Sequence, residues 1–347
     1  MIRASAPGKL MLAGEYTSAV SGGRALAAAV GRRLHVTLAP GGDAWRVTSE
    51  ALGLVDAPPA DVPVVEAVLA RFDGLAPAAI TIESELGVGD SKLGLGGSAA
   101  LCVALFGALR RYAGMEAPSV ADVVAAHREA QGGRGSGYDV ATALLGGVVL
   151  YDNAASDAPT ARRVDWPGGL FASVLHTGHG ASTVELLDRV TCWRDEDPED
   201  MRAYLGPLVS ETRDFIDAWL AGDVQRILTA AAQVQEELDA FDRAGEIGIY
   251  AGGQMQLLAA IEDAAAIGRT AGAGGGDCAW ALADRPGVIE RAVAAAEAAG
   301  FHAVDAAIPG DGLIVEDGAA ATSSPDAPAA AEPDAAAPDA APDSPEA

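Results

Sequence analysis

Residues 92–101 read KLGLGGSAAL, three glycines and a serine running straight into an apolar helical pattern that begins near Ser98. Glycine lets backbone amides approach a ligand closely, and a helix start adds unpaired N–H groups and the positive end of the helix dipole. Together these make a phosphate site, with Ser98 offering its hydroxyl to a phosphate or a metal ion. A plain helix-entry loop is the bland alternative. Residues 94–99 also fit the dinucleotide pattern GxGxxA, with Glu116 about 20 residues downstream for a ribose contact. Against that reading, Lys92 stands where an apolar strand should lead directly into the first glycine. No GxxxxGK[ST] loop occurs in the chain.

Outward from this stretch the elements are mixed rather than regularly alternating. Strand-like runs fall at 34–38, 79–84 and 147–151, and helical patterns at 64–72, 98–112 and 119–131, where Ser119 is a natural N-cap followed three residues on by Asp122. A loop at 166–169 (WPGG) separates this half from a second one. That half opens with a strand at 171–177 and continues with long helices between 182 and 241. It closes with a glycine-rich loop, the strand CAWALA, a helix at 288–299 and two short strands. The pattern predicts an α+β fold rather than a doubly wound parallel sheet. It divides into 1–166, 170–317 and a tail, 318–347, built of Ala, Pro, Ser, Thr, Gly and acids. With no large apolar residue to order its backbone, that tail is expected to be disordered.

The chain has 347 residues, half of them hydrophobic, which is enough for a sizeable core, and a net charge of −26. Six of the acids lie in the tail, so about −20 remains on the rest. Such a field argues against nucleic-acid or anionic-membrane partners, and an anionic substrate must meet a local positive site. Cys102, Cys192 and Cys278 are too few and too scattered for a disulfide framework, and no signal-like or bilayer-length apolar run occurs. These features lead to the expectation of a cytoplasmic protein, monomer or homodimer.

Three further segments concentrate glycine with polar residues: APGKLMLAGEY at 6–16, GGRGSGYD at 132–139 and AGAGGGDC at 271–278. Of the 23 basic residues only Lys9 and Lys92 are lysines, and each falls inside a glycine-rich segment. Where arginine has replaced lysine almost everywhere, a surviving ammonium is a candidate for a role the planar guanidinium cannot fill. Phosphoryl transfer needs positive charge held against the moving group. Arg134 can fork onto a phosphate and Ser136 can hydrogen-bond it. Asp139 can orient a nucleophile or neutralise Lys9, or it can simply be the N-terminal acid of the helix that follows.

At these segments the chain resembles the GHMP kinase superfamily, whose three motifs are similar to APGKLMLAGEY, LGLGGSAA and AGAGGGDC in that order. Within it, the run AAHREAQGGRGSGYDVATALLGGVVLY (125–151) and HTGHGASTVELL (176–187) resemble the phosphomevalonate kinases. The resemblance implies a two-domain fold, like ribosomal protein S5 domain 2 followed by a ferredoxin-like domain, with the site between them. It implies ATP with Mg²⁺ on Lys92, Gly94, Leu95, Gly96, Gly97, Ser98 and Ala99, Ser98 being the metal ligand. Lys9 and Asp139 would be catalytic. Lys9, Arg134, Ser136, Ser182, Thr183, Gly272, Ala273 and Gly274 would hold the substrate. The implied reaction converts 5-phosphomevalonate to the 5-diphosphate, the alternative being a hydroxyl acceptor as in mevalonate kinases. Two departures stand out: Gly97 replaces the first serine of the second motif, and Ala271 replaces the serine common before the third. Glu129 is the nearest residue to the family's second metal ligand but does not match it cleanly.

Overall fold

The computed structural model describes residues 1–20, 23–88, 91–153 and 159–317, without the side chains of 88, 91 and 92. The expected disorder of 318–347 lies outside the described residues. The first half runs β1 (Ile2–Ala13), α1 (Thr17–Val20), β2 (Arg24–Pro40), β3 (Arg46–Ser49), β4 (Leu54–Ala57), α2 (Pro63–Leu69), β5 (Ala78–Ser84) and the short β6 (Gly87–Val88) and β7 (Ser91–Lys92). It continues with α3 (Gly97–Tyr112), α4 (Val120–Ala130), α5 (Tyr138–Leu145), β8 (Val148–Asp152) and β9 (Thr160–Val164). The second half is β10 (Phe171–His176), α6 (Thr183–Glu196), α7 (Pro198–Ala221), α8 (Val224–Gly245), α9 (Gln254–Asp263), β11 (Ile267–Thr270), β12 (Cys278–Ala283), α10 (Pro286–Ala298), β13 (His302–Val304) and β14 (Ile314–Asp317).

The first sheet follows the order β14-β1-β2-β5-β3-β4, with β8 and β9 continuing from β2. β2 is long enough to serve two partners, pairing β8 through 24–28 and β5 through 34–40. The run 34–38 is therefore only its far end. β1 escaped the period-2 reading for a physical reason: all but one of its twelve residues are buried, so it shows no alternation. Helix α3 packs across β1 and β2, with every residue from Ala99 to Leu109 buried. Ser119 caps α4 as its position implies, its Oγ accepting from Asp122 N at 3.2 Å.

The second sheet is antiparallel, in the order β11-β12-β10-β13, and α9 and α10 pack against it. Numbered within the second half this is 2-3-1-4, the ferredoxin-like βαββαβ arrangement, here with the extra helices α6–α8. The fold is thus α+β. The parallel βαβ unit that a GxGxxA reading requires is not what precedes α3, since β7 is two residues long and pairs antiparallel with β6.

The halves are joined along β1. β14 pairs with its outer edge, so 314–317 returns to the first sheet. Trp280 Nε1 donates to Met11 O at 2.8 Å, Met11 N to Ala271 O at 3.3 Å, and Cys278 Sγ to Leu93 O at 3.1 Å. The site lies on this seam.

Candidate active site

Lys9 owes its position to the two residues before it. The β1–β2 register shifts between Pro7 and Gly8, where Pro7 has no N–H for the ladder and Gly8 has no side chain. A Cβ on Gly8 would come within 2.9 Å of Leu95 O, so only glycine lets the 94–96 loop lie directly on the strand. Lys9 N then donates to Leu95 O at 2.8 Å, and Lys9 Nζ reaches Gly94 O at 3.3 Å. The side chain is 8% exposed, with its stem across Gly96 at the mouth of α3. No acidic residue occupies the first turn of α3, so nothing there competes for the helix's positive end.

Helix α5 brings the counter-charges. Gly137 is left-handed at its N-cap, which turns Tyr138 and Asp139 into the cleft, and Asp139 Oδ1 accepts from Val140 N at 2.9 Å. Lys9 Nζ lies 5.7 Å from the centroid of the Tyr138 ring. Burial works to lower the Lys9 pKa, but Tyr138, Asp139 and Asp277 outweigh it and hold the value above its ordinary 10.5. Burial also pushes the Tyr138 phenol up, against the opposing pull of Lys9. Tyr138 is the largest of the influences that hold the Lys9 proton, and the Asp139 and Asp277 carboxylates add to it.

The 271–277 loop closes the third side. Tyr16 Oη donates to Ala273 O at 2.5 Å, Gly275 N to Ile249 O at 2.6 Å and Asp277 N to His179 O at 2.7 Å. A Cβ placed on Gly272 would stand 3.7 Å from Lys9 Nζ. Asp277 packs directly on Gly94, where any side chain would overlap its carboxylate, and its Oδ1 accepts from Ala181 N at 3.1 Å. Burial raises the Asp277 pKa, opposed by that amide, Lys9 and His176. One aspartate thus ties the second and third glycine segments to the 176–181 turn.

The structure brings Lys9, Tyr138, Asp139, residues 94–98 and Gly272 to one place. Leu95 and Ala99 are buried and can meet a ligand only through their backbones. Ser98 is exposed at the start of α3, its Oγ 3.0 Å from His127 Nε2. The Ser136 carbonyl is fixed by Tyr151 Oη at 2.6 Å and Arg128 Nη2 at 2.8 Å. Arg134, by contrast, points to solvent, 74% exposed and 3.5 Å from Asp188 of α6. Ser182 caps α6, accepting from Glu185 N at 3.3 Å, and Thr183 is exposed beside it. Glu129 faces away and pairs with Arg71 at 2.7 Å. Lys92 is described only as backbone, and its side chain lies outside the described residues.

Tyr138, His127 and Asp277 are the neighbours that sequence reasoning did not single out. His127 and Gln131, one helical turn apart, were the available signal for the second.

A nucleotide triphosphate fits this surface: open amides at a helix start, glycines for close approach and one enclosed ammonium. Among the described residues no group of three or more His, Cys, Asp or Glu could hold a metal unaided. A magnesium ion bound by the Ser98 hydroxyl together with phosphate oxygens fits the same donor set, since Mg²⁺ commonly takes one or two protein oxygens beside phosphates and water.

The family profile described as "GHMP kinases N terminal domain" matches residues 61–147. A mevalonate kinase of Aeropyrum pernix is 30% identical, over 91% of this chain and 98% of that protein. A phosphomevalonate kinase of a Streptomyces species is 28% identical, over 80% of this chain and 89% of that one. Among solved structures, Streptococcus pneumoniae phosphomevalonate kinase in complex with phosphomevalonate and AMPPNP superposes with a TM-score of 0.75 at 20% identity, covering 89% of this chain and all of that one.

Proposed function

This chain belongs to the GHMP kinase family, and from that premise we propose that it transfers the γ-phosphoryl group of ATP to the phosphate of 5-phosphomevalonate, giving the 5-diphosphate and ADP. It is a phosphotransferase. The observation that carries the reading is the enclosed Lys9 ammonium, held charged beside Asp139 at the mouth of α3.

A phosphomonoester has a second pKa near 6. The attacking oxygen is thus already anionic at neutral pH and gives up no proton to the protein. The new P–O bond forms to the γ-phosphorus as the bond to the β-phosphate oxygen breaks, and the electron pair leaves with ADP. Lys9 stays protonated throughout and acts as fixed positive charge against the oxygens where charge builds up. Asp139 orients Lys9. The α3 amides and the 272–274 backbone hold phosphates, and Ser98 would hold a Mg²⁺ ion, which when bound would offset their negative charge. Ser136, Ser182, Thr183 and Arg134 stand on the acceptor side, the last three at the rim. In the solvent-exposed geometry of Arg134, a role in binding requires it to leave Asp188.

The Aeropyrum relative favours a second reading, in which the acceptor is the hydroxyl of mevalonate and Asp139 removes its proton. ADP release measured with 5-phosphomevalonate and with mevalonate separates the two. Turnover with 5-phosphomevalonate at least about tenfold better in kcat/KM is the expected result, equivalent to roughly 1.4 kcal/mol of transition-state preference. The reverse preference assigns the hydroxyl acceptor.

A further inference from the structure

His127 has no place in the reading so far, yet it is 2% exposed and reaches the residue that would ligate the metal. It sits on α4, facing α3. Its Nε2 lies 3.0 Å from Ser98 Oγ and 3.3 Å from Gln131 Nε2. An amide nitrogen can only donate, whereas a hydroxyl can do either. The arrangement that satisfies both contacts has Nε2 as the acceptor, with the ring proton on Nδ1 and the Ser98 O–H pointing at the imidazole.

This fixes the one freedom a serine hydroxyl has. With its proton committed to His127, Ser98 turns its oxygen lone pairs toward the mouth of α3. A free rotor would spend part of its time aiming the proton there, where it suits a phosphate oxygen and repels a cation. The restraint also operates through a helix pair, because α3 and α4 pack together and Cys102 Sγ, four residues after Ser98, donates to Val123 O at 3.7 Å.

We infer that His127 is a positioning residue that holds the Ser98 hydroxyl as a lone-pair donor to the nucleotide-bound divalent cation. The inference rests on the kinase reading above. It assigns His127 no contact with substrate and no proton transfer.

The test is the affinity for AMPPNP, measured by titration calorimetry on the full chain, once with magnesium chloride and once with EDTA. The ratio of the two isolates the contribution of the cation. His127→Leu removes the acceptor, and its ratio should fall by about tenfold, at the lower end for losing a group that supports a metal ligand. Its affinity in EDTA should be unchanged. In His127→Gln, Oε1 can stand close to where Nε2 was and should restore the ratio. His127→Asn, too short to do so, should behave like the leucine variant and serves in its place if that variant does not fold. On a Ser98→Ala background, where the ratio is already reduced, the His127 changes should add nothing.

Unchanged ratios in the Leu and Asn variants overturn the inference while leaving the kinase reading intact. So does an equal loss with and without magnesium, which marks His127 as a packing residue only. Failure of the unsubstituted chain to bind AMPPNP under either condition overturns the kinase reading and this inference with it.

Discussion

Two buried cations lie along the seam between the halves, and their surroundings differ in kind. Arg269, on β11, is wholly enclosed: Nη2 meets Glu15 at 2.8 Å, Nη1 donates to Leu12 O at 3.3 Å, and the guanidinium sits 5.4 Å from the Trp280 ring and 5.7 Å from that of Phe215. Lys9, on β1 six residues before Glu15, is nearly as buried but is walled by glycine backbone, a phenol and a carboxylate. Two aromatic rings and a carboxylate pack against the first. Glycine backbone packs against the second. Burial alone therefore does not distinguish the two charges; what lies against each of them does.

The comparison breaks most visibly at Arg269. Replacing it by Ala strands the Glu15 carboxylate in the core, and removing one partner of such a pair costs about 3–5 kcal/mol. Denaturant unfolding should record that loss, and expression should fall with it unless the double variant Glu15→Leu/Arg269→Met is made. The double variant should recover most of the stability, because an apolar pair of similar volume needs no mutual charge. If the single variant unfolds at the wild-type midpoint, the pair is not what locks the seam.

Lys9→Met should do the opposite: lower turnover about 10²–10³-fold, the cost of losing one well-aimed electrostatic group, with a melting temperature shifted by only about 3 °C. Asp139→Asn keeps the shape and hydrogen bonding of the side chain and should lose less, about tenfold, since the acceptor is already ionised and needs no base. Single-turnover rates order the two. A larger loss in Asp139→Asn would mean that proton removal matters and would move the acceptor from a phosphate to a hydroxyl.

The same contrast explains what could be read from the chain alone. Lys9 was legible because lysine is scarce here and glycine surrounds it; the α+β class followed from the uneven order of strands and helices. The Glu15–Arg269 pair gave no such sign, since Arg269 is one of twenty-one arginines and its partner lies more than 250 positions away. Arg134 reads as a phosphate fork because it stands among glycines, and the structure places it in water against Asp188, a position that no local pattern encodes. Asp277 lay in plain view within the third glycine segment, but its contact with Gly94 depends on how two loops meet, which no local pattern encodes. Ser182 read as a substrate contact and also satisfies the start of α6, a use that its position before Glu185 already permitted.

The smallest effect concerns pH. Lys9 holds its proton more tightly in the folded chain than its ordinary value of 10.5, so the stability gained from that proton is complete below about pH 10.5. Above it, the unfolded chain releases the proton first, and the gain drains away as the pH climbs through the higher folded value. The difference in unfolding free energy between the wild-type chain and Lys9→Met should therefore be flat from pH 7 to 9 and shift against the wild type above pH 10.5. Titrations of groups remote from Lys9 are common to both proteins and cancel in that difference, whereas Tyr138, which faces Lys9, is the neighbour whose own titration the substitution changes. A difference that instead begins to change near neutrality would mean that burial outweighs Tyr138, Asp139 and Asp277, and that Lys9 is poised to lose its proton rather than to keep it.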